Sequence, residues 1–261
     1  MSRATSKTIL ITGASSGLGA EMARQFAAAG YDLALCARRI ERLEELRAEI
    51  LAAHSDRRVE IRALDVNDAD QVFEVFRAFR DDFAADGPDH GRSIDRIVIN
   101  AGLGKGAPLG TGGYAANRET AMTNFVGALT QAEAAMEIFR AQNAGHLVMI
   151  SSMSAMRGLP KSMTTYAATK AGVAHLAEGL RNELLGKPIK VTVLYPGYIA
   201  SEMNERVAQT TPLMVSTEKG VRAMVDAIEK EKASAHVPPL PWAPLSVVMK
   251  HAPLPVFKKL M

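Results

Sequence analysis

Thr8–Thr12 is a short β-branched run with no apolar/polar alternation, and Gly13-Ala14-Ser15-Ser16-Gly17-Leu18-Gly19 follows it without a break. An unalternating run of that length suits a parallel strand covered on both faces. A helical pattern starts directly afterwards, with Met22, Phe26 and Ala29 on one face and Gly30 as its stop. Strand, glycine-rich turn, helix is the arrangement in which backbone N–H groups at a helix N-terminus can hold a phosphate. Glycine is needed in such a turn because a Cβ would block the ligand or the crossing helix. Placed between a strand and a helix, the cluster is far more specific than glycines standing alone.

The alternation continues along the chain. Residues 32–37 read as a second strand, 40–54 as a charged helix, and 59–64 as a third strand ending at Asp65-Val66. Asp68 is placed to N-cap a helix through Val72, Phe73, Val75, Phe76 and Phe79, closed by Gly87-Pro88 and Gly91. Residues 94–100 form a fourth strand running into Ala101-Gly102, and 118–142 one long Ala-rich helix with Asn124 in its middle. The fifth strand, 146–150, ends at Ser151-Ser152, and the sixth, 190–195, at Pro196-Gly197. This order predicts right-handed crossovers and a Rossmann-like doubly wound parallel sheet in three α/β/α layers.

With no internal repeat or interdomain linker, residues 1–236 read as a single domain. Its later part holds a polar stretch over 198–217, of a length often used as a lid, and a helix over 218–230. Residues 237–261 are a Pro-rich apolar C-terminal extension, with six of the 12 prolines. Trp242, Leu245, Val247, Val248, Met249, Val256 and Phe257 suit packing on the chain's own domain or on a second subunit. Lys250, Lys258 and Lys259 beside them leave a weak membrane contact open.

Composition narrows the function classes. Of 261 residues 48% are apolar and 23% charged, and the formal net charge is only +3, which gives no electrostatic case for nucleic acid. The single cysteine, Cys36, lies in an apolar run and reads as core. One cysteine cannot form an internal disulfide and leaves a metal site without its usual ligands, so no metal is expected. The polar start of the chain lacks an apolar signal region, and no run is long enough to span a bilayer. The expectation is a cytoplasmic protein.

In an open α/β sheet, ligands bind beyond the carboxyl ends of the strands, where Gly13, Asp65, Asn100, Ser152 and Pro196 all fall. Tyr166 and Lys170 follow at helical i, i+4 spacing, on one face of a helix carrying Leu176, Leu180 and Leu184. A phenol titrates near 10, too high for acid–base work at neutral pH, and a nearby ammonium would favour its charged form. A phosphate turn, a hydroxyl, a phenol and an ammonium on one rim point to proton transfer coupled to dinucleotide chemistry.

On these residues the chain resembles the classical short-chain dehydrogenase/reductase (SDR) family. Thr12 to Gly19 looks like its TGxxxGxG cofactor loop, Asn100-Ala101-Gly102 like NAG, Tyr166 to Lys170 like YxxxK, and Pro196-Gly197 like the PG after the sixth strand. The likeness runs in order over residues 8–203. It implies Tyr166 as general acid or base, Lys170 as its partner and holder of the nicotinamide ribose, and Ser152 as hydrogen-bond donor to the substrate oxygen. It implies Asn124 as holder of a water that relays protons to Lys170. Gly13, Ser15, Ser16, Gly17, Leu18, Gly19, Asp65, Val66, Asn100, Ala101, Gly102, Pro196, Gly197 and Ile199 would contact the cofactor. Fourteen residues separate Ser152 from Tyr166, one more than the commonest family spacing, so Ser154 stays a rival for the serine role. A homodimer or homotetramer, formed through the helices around Asn124 and after Tyr166, is a family expectation.

NAD-selective folds carry a carboxylate at the end of the second strand to take the ribose 2′-hydroxyl. Here Ala37 stands there, followed by Arg38 and Arg39, whose guanidinium groups suit a 2′-phosphate. The cofactor expected is NADP(H). Met153, Met156, Leu159, Tyr198, Met203 and Met214 fall where a pocket would be lined, so a lipophilic carbonyl or secondary alcohol is the expected substrate. Two further readings are a reductase of carrier-bound 3-oxoacyl chains, for which Arg206 is the one basic residue near the lid, and a non-catalytic NADP(H)-sensing regulatory protein.

Overall fold

The structure is a computed structural model that describes residues 6–84, 93–202 and 213–260. The Gly87-Pro88-Gly91 loop, Met203, Arg206 and the centre of the expected lid lie outside the described residues. The chain enters through the middle of its sheet. β1 (Thr8–Thr12) is followed by α1 (Gly17–Ala28), β2 (Asp32–Ala37), α2 (Ile40–Ala53) and β3 (Val59–Ala63), which builds one half outwards to an edge. After α3 (Ala69–Ala84) the chain returns to place β4 (Arg96–Ile99) on the other side of β1. β5 (Gly145–Ile150), β6 (Ile189–Pro196) and β7 (Ser234–Val237) then extend the second half. All pairings are parallel, in the order β3-β2-β1-β4-β5-β6-β7.

Every residue of β1, β2 and β4 is buried, the physical reason these segments carry no polar alternation. One face is covered by α1, α2 and α7 (Thr217–Glu229), which contribute Met22, Phe26, Leu43, Val221 and Met224 to a core with Ile9, Ile11 and Leu35. The opposite face is covered by α3, α5 (Gly127–Ala141) and α6 (Thr164–Glu183), with Phe76, Phe79, Phe139 and Val173 packed on Leu10, Ile97 and Leu147. The sheet therefore sits between two helical layers, as the strand–helix alternation predicts. Asp68 accepts from the Gln71 N–H at 3.0 Å and so caps the entry to α3.

The structure corrects the reading in two places. The single helix expected over 118–142 starts earlier, as α4 (Tyr114–Ala121), and passes through a π-helical turn, Met122–Val126, before α5. That turn contains Asn124, which is 1% exposed, so the residue does not sit on a solvated helix face. Its amide oxygen accepts from the Leu103 N–H and its amide nitrogen donates to the Leu103 carbonyl, both at 2.8 Å. One residue inserted into the helical ladder turns this side chain inwards. The second correction is β7, which the sequence reading missed: Ser-Ala-His-Val has no apolar run, and its placement comes from pairing with residues 193–196 of β6.

The C-terminal segment folds as α8 (Pro239–His251, bent at Leu240) and α9 (Leu254–Leu260), against the sheet's carboxyl rim. Trp242 is 3% exposed and covers Gly197 so closely that a Cβ there would lie 2.0 Å from the indole ring. Its ring meets that of Tyr198 edge-on at 5.5 Å. Phe257 is buried with Leu159 and Ala167. Arg157 reaches across to the Met249 and Lys250 carbonyls at 3.3 and 3.1 Å, with its guanidinium 5.4 Å from the Phe257 ring centre. Leu240, Val247, Val248, Leu254 and Val256 remain exposed. Among the described residues no helix is long and apolar enough to cross a membrane.

Trp242→Ala leaves a cavity over Gly197 and is expected to lower the unfolding free energy by about 3–5 kcal/mol. Urea unfolding checks this, and a loss below about 1 kcal/mol would show that the segment adds little to the fold.

Candidate active site

β1 and β4 lie side by side but lead to helices on opposite faces, so their carboxyl ends open a crevice. The Thr12 hydroxyl accepts from the Asn100 and Ala101 N–H groups at 3.0 and 3.1 Å, tying the two strand ends together. Asn100 returns its amide N–H to the Thr12 carbonyl at 2.9 Å and, more weakly, to the Gly13 carbonyl at 3.4 Å. Gly13 has φ +65°, and a Cβ on it would lie 2.9 Å from the Ala101 Cα. A Cβ on Gly19 would lie 2.3 Å from the Gly13 carbonyl oxygen, so glycine alone lets α1 cross this close to the turn. Ser16 occupies the N-cap of α1 without bonding its first turn; its hydroxyl accepts from Arg39 instead. The helix start therefore keeps backbone N–H groups for an anion.

The acid–base candidates meet one strand pair away. Ser152 follows β5 as the N-cap of a short 3₁₀ turn, Met153–Met156, and its hydroxyl oxygen accepts from the Ser154 N–H at 3.1 Å. The Ser152 hydroxyl also hydrogen-bonds the Tyr166 phenol, favouring the phenolate, while Tyr198 stands close enough to oppose it. Burial dominates and pushes Tyr166 above the ordinary tyrosine value. Lys170 is 5% exposed, donates to the Ile150 carbonyl at 2.9 Å, and stands 5.9 Å from the Tyr166 ring centre. Burial pushes its ammonium down to about 8. The expectation that Lys170 lowers the Tyr166 pKa is thus corrected for this state: the phenol is shifted upwards, and the group that pulls it back is Ser152.

Gly102 faces the same spot, because a Cβ on it would lie 3.2 Å from the Asn124 amide oxygen and 3.5 Å from the Lys170 ammonium. Ser151 is buried and gives its hydroxyl to the Lys170 carbonyl at 2.7 Å, which fixes α6 against β5. The remaining cofactor candidates are spread along the rim. Asp65 accepts from the Asn67 N–H and amide at 3.0 Å each, an ordinary turn, and Val66 is buried under Gly127. Pro196 ends β6, Gly197 donates to the Val237 carbonyl at 3.0 Å, and Ile199 is buried beneath Gly220. Arg38 is exposed without an ion pair or hydrogen bond among the described residues. Arg39 lies over the glycine turn, donating to Ser16 and Ser15 at 2.7 and 3.3 Å and pairing with Glu202. Arg42 pairs with the same carboxylate. Glu202 and Arg42 escaped the sequence reading because long-range contacts, not motifs, bring them here.

Residues 7–212 match the family profile described as short chain dehydrogenase. The chain belongs to this family. An oxidoreductase without assigned substrate from Mycobacterium tuberculosis is 51% identical over 245 residues, covering 94% of this chain and 93% of its own. Among solved structures, this short-chain dehydrogenase is similar to one from Sphingobium yanoikuyae in complex with NADPH (TM-score 0.79, 27% identity, 93% of each chain). It also shares its fold with a short-chain dehydrogenase/reductase from Burkholderia phymatum in complex with NAD (TM-score 0.81, 20% identity, covering 95% of this chain and 93% of that one). The chain is an oxidoreductase of a family whose members bind nicotinamide cofactors.

The buried Lys170 makes a pH prediction. Its folded pKa lies below the unfolded value, so the unfolded chain binds more protons between about pH 8 and 10.5, and stability rises with pH across that window. Tyr166, shifted upwards, acts in the opposite sense only above about pH 10. Wild-type stability measured against Lys170→Met is therefore expected to gain about 2 kcal/mol between pH 7 and 10. A flat difference in urea unfolding across that range would refute the shift.

Proposed function

We propose that this short-chain dehydrogenase moves a hydride between NADP(H) and a lipophilic carbonyl or secondary alcohol, with Tyr166 as acid and base. The observation that carries the reading is the Ser152–Tyr166–Lys170 cluster on the same rim as the glycine turn. The turn suits a dinucleotide pyrophosphate. Gly13 and Gly19 hold the backbone open where a Cβ would clash, and α1 begins with no side-chain cap in its first turn. Among the described residues Arg38 stands unengaged directly after Ala37, the position where an NAD-selective fold carries a carboxylate, which supports the phosphorylated cofactor.

The cofactor supplies the hydride, or accepts it in the reverse direction. In reduction, the Tyr166 O–H gives its proton to the carbonyl oxygen while the Ser152 hydroxyl donates to that oxygen and stabilises its developing charge. Burial keeps the Tyr166 phenol protonated, so the proton that the carbonyl oxygen needs is in place. Lys170, near 8, is poised to return a proton at neutral to mildly basic pH and to hold the ribose hydroxyls. Asn124 acts as a positioning residue, since Leu103 engages its amide and it abuts Gly102 beside the Lys170 ammonium. Ser152 is favoured over Ser154 because Ser154 contributes a backbone N–H that orients the Ser152 hydroxyl.

Met156, Tyr198 and Met214 keep partial exposure near this rim, whereas Met153 and Leu159 are core; the exposed set supports an apolar, adaptable substrate site. Exposed Phe125, Val126 and Leu129 on the π turn and α5 support the homodimer or homotetramer expectation, which light scattering tests.

Tyr166→Phe is expected to lower kcat for NADPH-dependent ketone reduction by about 10²–10⁴-fold while NADPH binding, followed by nicotinamide fluorescence, stays within a few-fold. Retention of a tenth or more of kcat would overturn the acid–base role. For the cofactor, Arg38→Ala should reduce kcat/KM with NADPH by about tenfold or more and leave NADH nearly unchanged. Equal wild-type kcat/KM for the two cofactors would defeat the NADP(H) assignment.

A further inference from the structure

We propose that Arg42 joins Arg39 in a second half of the 2′-phosphate site, and that Glu202 is its resident counter-ion, displaced only by the phosphorylated cofactor. The inference rests on the NADP(H) reading and adds two specificity-determining residues to it. Arg39 and Arg42 lie three residues apart at the start of α2, on one face, directly after the strand that ends at Ala37. Glu202 comes from the far side of the chain, after β6, and its carboxylate receives both guanidinium groups: Arg39 through Nη1 and Nη2 at 3.3 Å each, and Arg42 through Nη1. Arg39 also holds the hydroxyls of Ser15 and Ser16. Two arginine forks thus converge on one anion beside the glycine turn, a donor set that suits a phosphate monoester.

The present occupant is matched for exchange. The Arg42 hydrogen bond, followed by the Arg39 charge, holds the Glu202 carboxyl below the usual range, so it is ionised at neutral pH. The three side chains are 44–47% exposed, which lets a ligand reach them without opening the core and keeps each ion pair weak. A phosphate monoester brings a charge of about −1.5 to −2 and three acceptor oxygens, against one charge and two oxygens on Glu202. A ribose 2′-hydroxyl brings no charge and leaves the carboxylate in place. Glu202 thereby costs the phosphorylated cofactor part of its affinity while making phosphate the entry requirement for both arginines.

Isothermal titration of the full chain with 2′,5′-ADP (adenosine 2′,5′-bisphosphate) and with 5′-AMP, which differ only in the 2′-phosphate, isolates the effect from catalysis. Glu202→Gln should tighten 2′,5′-ADP by about three- to tenfold and leave 5′-AMP within about twofold. Arg42→Ala should weaken 2′,5′-ADP by about tenfold with 5′-AMP again unmoved. The proposal is overturned if Glu202→Gln leaves 2′,5′-ADP unchanged or weaker, if it tightens both ligands equally, or if Arg42→Ala has no effect. Wild-type protein binding both ligands equally would instead bring down the NADP(H) reading itself, a separate result from failure of the variants.

Discussion

The Thr12 hydroxyl, accepting two backbone N–H groups from the end of β4, is the contact on which the site's geometry depends. Parallel strands leave their carboxyl ends with backbone donors and acceptors that no further strand satisfies. Here those groups are satisfied across the strand pair at which the sheet changes direction, and Asn100 completes the tie by holding the Thr12 and Gly13 carbonyls. The glycine turn is thus fixed from beneath by side chains that do not need a ligand. Asn100 and Thr12 fix the backbone of that turn from the two strand ends.

The order β1-α1-β2-α2-β3 was legible because burial on both faces forces unbroken apolar strands, and the turn residues allow no other backbone path. The rim could be read for the same reason: Gly13, Asn100, Ser152 and Pro196 all follow such strands. What escaped depends on contacts distant in sequence. The π turn around Asn124 exists in partnership with Leu103, 21 residues away, and nothing in Met-Thr-Asn-Phe-Val announces it. β7 is recruited by an open edge of β6 and has no strand pattern of its own. The Tyr166–Lys170 spacing correctly put both groups on one face. Its electrostatic consequence was misread because burial, invisible to local spacing, acts on the two in opposite directions.

Charge is distributed unevenly around the crevice. The Tyr166 end carries a buried ammonium that donates to the Ile150 carbonyl and a partly buried phenol held by a hydroxyl. The Arg39 end carries paired, exposed arginines. Low dielectric at the first end makes small displacements of a proton consequential, whereas solvent at the second lets ionic partners be exchanged at modest cost.

The seat of Trp242 on Gly197 has a consequence for the order in which the molecule becomes complete. During synthesis the glycine turn, Asn100, Ser152 and Tyr166 all leave the ribosome before the residues that roof the turn after β6, and chains fold from the N-terminus as they emerge. A nascent chain can therefore assemble its dinucleotide crevice while the neighbouring wall is still missing. The turn after β6 is covered last, by helices that add no strand to the sheet.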